Sequence, residues 1–237
     1  MIRYRLRIGQ TAATVLAEAE YIPVAREEVR RCREQLLKFI ERNPGFRTAL
    51  RPMRVPESAP EIVRRMAAAS ARVGVGPRAA VAGAVGASAV RAMCAAGAAH
   101  AVFDNGGDIA MKIDRPTVIG LRTGDGSPVR LGFRFPPSRE MFGVCTSSAV
   151  IGHSLSFGRA EAAMVAAAEP ELADAAATAL GNRVTEPGRE GVERALAGMP
   201  GEGIRGMLVA AGGFVGRRGE LPELCRIDGP VDEFTPV

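Results

Sequence analysis

Three short polar stretches stand out in this sequence, because they place carboxylates, hydroxyls and glycines where the packing of a core does not need them. The first lies between two apolar segments and consists of Asp104, Asn105, Gly106, Gly107 and Asp108. Paired glycines adopt positive φ angles and let a ligand reach the main chain, whose N–H groups can form an anion-binding concavity. Asn-Gly is equally a strong signal for a hairpin turn. The residues alone leave both interpretations open.

The second stretch, residues 143–158, concentrates hydroxyls, one thiol and one of the two histidines of the chain. Its candidate ligand-binding residues are Thr146, Ser147 and Ser148. Cys145 and His153 are conceivable as a nucleophile and its base, but the sequence identifies no acid that would orient the histidine. A hydroxyl-rich loop that holds a phosphate or a polar ring fits the pattern better.

The third stretch is a helical segment in which Asp174, Thr178 and Asn182 recur every four residues and therefore share one face. Small oxygen-bearing side chains on an alanine-rich face suit Mg²⁺, a hard cation that uses one or two carboxylates together with substrate phosphates. The spacing also fits a structural role, in which Asp174 interacts with the positive end of its own helix and Thr178 bonds back to a carbonyl. From spacing alone, the structural role is favoured.

The first half of the chain is predicted to be mostly helical after an N-terminal strand and a second strand that returns over residues 12–18. Residues 2–8 alternate arginine with apolar residues, as a strand does, and residues 24–41 have helical periodicity. Ser58 and Glu61 have the spacing of a capping box, which predicts that the next helix begins there. A further helix is predicted over residues 76–96, with a bare glycine flank where another backbone can come close.

The second half is predicted to contain mainly short strands from residue 101 onward, with a helix that opens at Pro170. Because strands and helices come in groups, the pattern predicts an α+β fold rather than strict alternation. We expect a single domain over residues 1–237, with an N-terminal strand–helix extension (1–57) and a core (58–237).

Composition and charge narrow the class of protein. At 47% hydrophobic and 24% charged residues, the chain is typical of a globular protein. The positive charge is N-terminal, since residues 1–65 carry +6 and the remainder carries −1. A basic surface can bind phosphates, but no aromatic residues interleave with the arginines, so the pattern argues against a nucleic-acid partner.

The cysteines and the apolar segments predict a reduced, cytoplasmic protein. The four cysteines lie far apart and form no CxxC pair, so a structural zinc site is not expected. The N-terminus lacks the apolar region of a signal peptide. Residues 79–102 are long enough to span a bilayer, but Arg91 in their middle favours a buried helix of a soluble protein and no membrane.

The three polar stretches, in this order, resemble those of the ApbE family. That family has a GGD-type turn after a strand, a TSG loop followed by a histidine, and a helix with an ADA-x-x-TA core. The matching segments here are 105–108, 146–148 with His153, and 173–179. Residues 76–83 look like the family's Gly-Lys-Gly region. The chain resembles still more closely, over nearly its whole length, a shorter and uncharacterised prokaryotic ApbE-like family.

The resemblance implies two packed β-sheet subdomains with FAD in the groove between them. It implies Mg²⁺ held by Asp174 and Thr178, His153 and Asp174 as catalytic residues, and transfer of FMN to a threonine of a protein partner. Ala82 stands where the family has its lysine, and residues 154–158 replace a DPRTG-type stretch. An alternative is therefore a non-catalytic ligand-binding or accessory protein, since the shorter family accompanies anaerobic sulfide assimilation into homocysteine. A small phosphorylated ligand and a homodimer are the other expectations.

Overall fold

The computed structural model describes residues 1–120, 131–148 and 158–227. Two sheets organise these residues: an eight-stranded sheet in the order β1-β2-β3-β4-β7-β8-β9-β10 and a three-stranded sheet in the order β11-β6-β5. The strands are β1 Ile2–Ile8, β2 Thr11–Ala17, β3 Ala101–Asp104, β4 Asp108–Ile113, β5 Thr117–Gly120, β6 Leu131–Phe135, β7 Ser138–Ser147, β8 Ala162–Ala167, β9 Ile204–Ala211, β10 Phe214–Gly219 and β11 Glu223–Arg226. The helices are α1 Ile22–Arg42, α2 Gly45–Thr48, α3 Glu61–Val73, α4 Val81–Ala95, α5 Pro170–Arg183 and α6 Arg189–Ala197.

All neighbouring strands of the large sheet run antiparallel. The N-terminal hairpin β1–β2 joins this sheet through β3, where Val15 pairs with Phe103. Alternate residues of β2, among them Ala13 and Val15, are buried on one face, as expected for a strand with period two. The first strands of the chain therefore extend the sheet that carries the polar turn.

Each face of the large sheet has its own apolar cluster. Helices α4 and α5 cover one face and α1 packs on α4, which builds the main core from mostly small side chains. On the opposite face, Met111, Phe142 and Met164 pack with Phe133 and Phe135 of the three-stranded sheet. The prediction of an α+β fold with two packed sheets is confirmed, with the helices on one side of the larger sheet.

Two glycines hold the first turn of α5 between α4 and β7. A methyl group at Gly83 of α4 would clash with the Pro170 carbonyl, and one at Gly143 of β7 would clash with the Pro170 backbone. Only glycine permits this approach, so the bare flank predicted for α4 is where α5 packs. The contact fixes where Asp174, one turn further along α5, is placed.

The structure corrects three sequence-based predictions. The capping box is absent, because Pro60 is the N-cap residue of α3 and no side chain caps that end. Residues 143–147, predicted as part of a loop, are the end of β7: all five pair with β8, and 143–145 also pair with β4. Helix α6 and strands β10 and β11 had no counterpart among the predicted elements.

Arg91, in the middle of the apolar segment, is held by a buried carboxylate. Glu171 of α5 is 1% exposed and forms ion pairs with Arg91 at 3.0 Å and with Arg65 of α3 at 3.4 Å. Within the described ranges, no single helix has the length and hydropathy of a membrane span, and one pair passes only together, with a 106° bend between its parts.

Candidate functional site

Two carboxylates from different elements come together on the helix-covered face of the large sheet. Asp108 is the first residue of β4 and pairs with Cys145 of β7. Asp174 lies in α5, which packs on β7, and it is 8% exposed. The charge of Asp174 acts directly on Asp108, so the two groups are electrostatic neighbours. The fold therefore places the turn 104–108 of the first polar stretch next to α5, which contains the third.

Asp174 accepts hydrogen bonds at the start of another helix. Its Oδ2 accepts the Gly83 N–H at 2.8 Å, and the Ala82 N–H also bonds to this carboxylate. These residues occupy the second and third positions of α4, where backbone N–H groups have no partner within the helix. Asp174 therefore supplies the cap that α4 lacks locally. The spacing argument had assigned it to the positive end of its own helix.

The electrostatics of the pair disfavour two negative charges. Burial raises the pKa of Asp108 well above its usual range, and the nearby charges of Asp174 and Asp104 raise it further. Burial also raises the pKa of Asp174 to about 7, although the Gly83 and Ala82 N–H groups oppose the shift. In the described part of the chain, the hydrogen bonds that lower these two pKa values come from N–H groups and a thiol, not from arginine or lysine. The ionised form of both carboxyls is thus disfavoured, by burial first and, at Asp108, by the neighbouring charges as well.

This arrangement predicts that the cation-free protein loses stability as pH rises from 5 to 8. A carboxyl whose pKa is higher in the folded than in the unfolded state favours folding while it is protonated, and this contribution disappears as pH rises through its folded pKa. Ionisation of Asp174 alone should lower the free energy of unfolding by about 3 kcal/mol between pH 5 and pH 8, and ionisation of Asp108 should lower it further. Urea unfolding in EDTA at both pH values measures the loss. Constant or increasing stability would contradict the raised pKa values.

The turn 104–108 is a hairpin turn with an exposed Gly106, a partly exposed Gly107 and open space beside both. It joins β3 to β4, with the Asp104 side chain accepting the Gly107 N–H at 2.9 Å and the Asn105 N–H donating to the Asp108 carbonyl at 3.1 Å. Gly106 and Gly107 have φ angles of 73° and 98°, and space is open where their side chains would be. The hairpin interpretation is confirmed, and the open space beside these glycines leaves the ligand-binding interpretation available.

The three hydroxyl residues predicted to bind a ligand, Thr146, Ser147 and Ser148, do not share one face. Ser147 is buried on the same face as Cys145, toward the helices, whereas Thr146 is exposed on the opposite face. The backbone N–H of Thr146 bonds to the Asp108 carboxylate. Ser148 donates to the Glu161 carbonyl at 2.6 Å. Of these three residues, Ser147 is therefore the one whose hydroxyl lies on the carboxylate side of the sheet.

Thr178 lies one turn after Asp174 on α5 and is half-buried, so its hydroxyl is placed on the helix face that the spacing predicted. His153 lies outside the described residues. In the ranges that are described, no three His, Cys, Asp or Glu side chains are arranged to hold a metal ion by themselves. A cation at this site would need ligands from hydroxyls, the main chain or a bound phosphate in addition to Asp174.

We expect Cys145 to resist alkylation in the folded protein. Its side chain is fully buried and its Sγ donates to the Pro170 carbonyl at 3.6 Å. Burial raises the pKa of its thiol well above the usual value, and the charges of Asp108 and Asp174 reinforce that shift. Because the thiolate is the reactive form, iodoacetamide should label the partly exposed Cys94 and Cys225 first, as read by peptide mass spectrometry. Labelling of native Cys145 at the rate of Cys225 would contradict this burial.

The relatives of the chain identify its family. A family model described as "AbpE bacteria" matches residues 2–200. A UPF0280 protein of Methanocella arvoryzae is 50% identical over 183 residues, which cover 77% of this chain and 74% of that protein. A UPF0280 protein of Methanosphaerula palustris is 45% identical over 236 residues, covering 98% of this chain and 96% of that one. The chain belongs to the family that this model describes, together with these UPF0280 proteins.

Solved structures show that this chain shares the ApbE fold. The apo form of the flavinyl transferase ApbE from Pseudomonas stutzeri aligns with a TM-score of 0.57 and 14% identity, covering 92% of this chain and 93% of that chain. A variant of the flavin transferase ApbE from Vibrio cholerae aligns with the same TM-score and 11% identity, covering 92% and 96%. At such identities the likeness concerns the fold. The expected resemblance to a short, uncharacterised ApbE-like family is confirmed.

Two features of this UPF0280 site were not among the predicted site residues. The backbone N–H groups of Ala82 and Gly83 bind Asp174, and the glycine flank of α4 was the sequence signal that another element would approach there. Asp104 belonged to the first polar stretch, but nothing in the sequence indicated that its charge acts on Asp108.

Proposed function

We propose that the protein binds FAD together with Mg²⁺ at Asp108 and Asp174, and that it is a flavin transferase of the ApbE type. The observation that carries the proposal is the pair of carboxylates, which burial and mutual repulsion make unfavourable as two anions. A divalent cation would remove that penalty, because opposite charge nearby favours the ionised form.

The donor atoms available suit Mg²⁺. Carboxylate and hydroxyl oxygens are hard ligands, and Mg²⁺ is bound in proteins by one or two carboxylates with substrate phosphates and water completing its shell. We assign Asp174 as the first Mg²⁺ ligand. The Gly83 N–H fixes its Oδ2, and its Oδ1 takes no part in that hydrogen bond. Thr178, one turn later, is the second. When bound, Mg²⁺ screens the charge of the phosphoryl group that is transferred.

The chain itself would bind and orient the dinucleotide. The exposed main chain at Gly106 and Gly107 can accept close approach of a phosphate, and Ser147 offers a hydroxyl on the carboxylate side of the sheet. The Asp108 carboxylate would lie on the side of the dinucleotide where Mg²⁺ binds. In the transfer, the phosphoanhydride bond of FAD breaks, FMN forms a phosphoester with the acceptor hydroxyl, and AMP leaves. The relatives named as flavin transferases support this reaction class.

A second function is a ligand-binding or accessory role without transfer. Ala82 favours it, because this position carries a lysine in the flavin transferases that the sequence resembles. Here the Ala82 side chain supplies no charge, and its N–H serves Asp174 instead. The fold and the carboxylate pair would then be retained for binding alone.

Release of AMP separates the two functions. Purified protein is incubated with FAD and Mg²⁺, alone and with a threonine-containing peptide that supplies the acceptor hydroxyl, and AMP is quantified by chromatography against the Asp174→Asn variant as control. AMP that forms with the unmodified protein and not with the variant supports transfer or hydrolysis. FAD binding without AMP supports the accessory role, and absence of FAD binding contradicts both.

A further inference from the structure

Strand β1 carries three arginines on one face of the large sheet. Arg3, Arg5 and Arg7 are all exposed. The residues between them include Tyr4 and Leu6, which pair with the buried Val15 and Ala13 and pack toward the helices. Since side chains alternate along a strand, the three arginines lie on the opposite face. We call them the arginine row.

The register of the sheet places the arginine row beside the turn 104–108. Arg5 pairs with Thr14, and Thr14 pairs with Asp104, so these three residues form a line across three strands. Two strand spacings amount to about 10 Å, which is within reach of an extended arginine side chain and a ligand atom bound to it. Arg7 is two residues further toward the end of the sheet that carries the turn.

One arginine of the row, Arg3, acts electrostatically on the turn at Asp104. Although burial raises the pKa of Asp104, the charge of Arg3 opposes that rise. Asp104 in turn acts on Asp108. By register, the arginine row lies on one face of the sheet at the turn and the carboxylates Asp108 and Asp174 lie on the other, with open space at Gly106 and Gly107 of the turn.

We propose that Arg5 and Arg7 bind the anionic phosphate part of a dinucleotide that crosses the turn from the carboxylate pair. The inference rests on the proposed function. It assigns to the N-terminal hairpin the positive charge that the α4 segment lacks at Ala82. A guanidinium is suited to this task, because its planar donors match phosphate oxygens in pairs.

Protection of a sheet edge is the competing explanation. Strand β1 is at one edge of the large sheet, and charged side chains on edge strands prevent pairing with other chains. Strand β10 is at the other edge and carries the exposed Arg217. Arg217 has the same exposure and edge position but lies far from the turn in strand order, so it is the matched control.

The test compares the Arg5→Gln/Arg7→Gln double variant with Arg217→Gln and the unmodified protein. FAD, ADP and riboflavin are titrated at about 20 mM and about 200 mM salt, because screening weakens exposed charge contacts. The double variant should bind FAD and ADP about tenfold more weakly at low salt, with a smaller salt dependence and unchanged riboflavin affinity. Arg217→Gln should bind as the unmodified protein does, and all three should unfold at the same temperature.

Equal FAD affinity and salt dependence in the double variant and the unmodified protein would overturn the inference and leave edge protection as the role of the row. That outcome would leave the proposed function intact, because FAD still binds. If the unmodified protein bound neither FAD nor ADP, the proposed function and this inference would both be overturned.

Discussion

The Asp174→Asn variant is expected to be more stable than the unmodified protein at pH 8 without divalent cations, and to lose the additional stabilisation that Mg²⁺ gives in the presence of FAD. The asparagine amide oxygen can still accept the Gly83 N–H, so the cap on α4 is retained. The buried charge, which raises the pKa of Asp174 to about 7, is removed. The gain should be about 1–3 kcal/mol, since one pKa unit corresponds to about 1.4 kcal/mol. Urea unfolding in EDTA measures it.

Asp174→Ala is the matched control for this prediction, because it removes both the charge and the cap. Loss of a helix cap costs about 1 kcal/mol, so the alanine variant should be less stable than the asparagine variant. An asparagine variant that is destabilised at pH 8 would show that the negative charge is satisfied in the free protein. That result would remove the electrostatic argument for a cation.

Gly83→Ala is expected to destabilise the protein strongly and to abolish ligand binding. A methyl group there would clash with the Pro170 carbonyl and lie 2.8 Å from the Cβ of Asp174. Backbone atoms cannot rotate away, so α4 and α5 must separate, at a cost of about 1–3 kcal/mol or more. The separation also breaks the bond between Gly83 N–H and Asp174. Thermal unfolding and FAD titration with Mg²⁺ measure the two effects.

Gly143→Ala tests the same contact from β7, where the added methyl would clash with the Pro170 backbone. Gly45→Ala is the control, because Gly45 lies in α2 with no atom within 4 Å of the added group and no positive φ. Its stability should be unchanged or slightly higher, since alanine favours helix. Gly83→Ala and Gly45→Ala with equal stability would contradict the close packing of α4 on α5.

The sequence predicted those features of the fold that depend on local periodicity. Two local patterns predicted which face of an element is covered by the rest of the protein. These were the alternation of arginine and apolar residues in β1 and the glycine flank of α4. The three polar stretches also indicated the ApbE-like family, since their order along the chain is more specific than any one of them.

Features set by distant segments could not be predicted from local patterns. Asp174 caps α4 through Gly83, which is 91 residues away in the sequence. Its spacing within α5 had instead predicted an interaction with the N-terminus of α5 itself. The glycine and hydroxyls of residues 143–147 resemble a loop, but these residues lie in β7, where 143–145 pair with both neighbouring strands and 146–147 pair with β8. Ser58 has the spacing of a cap, yet α3 begins after Pro60 and no side chain caps it. In each case, tertiary contacts outweighed the local preference.

Calorimetric titration of the protein with FAD, with Mg²⁺ and then with EDTA, tests the central claim most directly. If a cation and a dinucleotide share the carboxylate pair, Mg²⁺ should strengthen FAD binding by at least about tenfold, within the usual range of coupling between ligands. The Asp174→Asn variant should bind FAD equally with and without Mg²⁺. The same dissociation constant for the unmodified protein in Mg²⁺ and in EDTA would contradict the claim that Asp108 and Asp174 form a cation-assisted phosphate site.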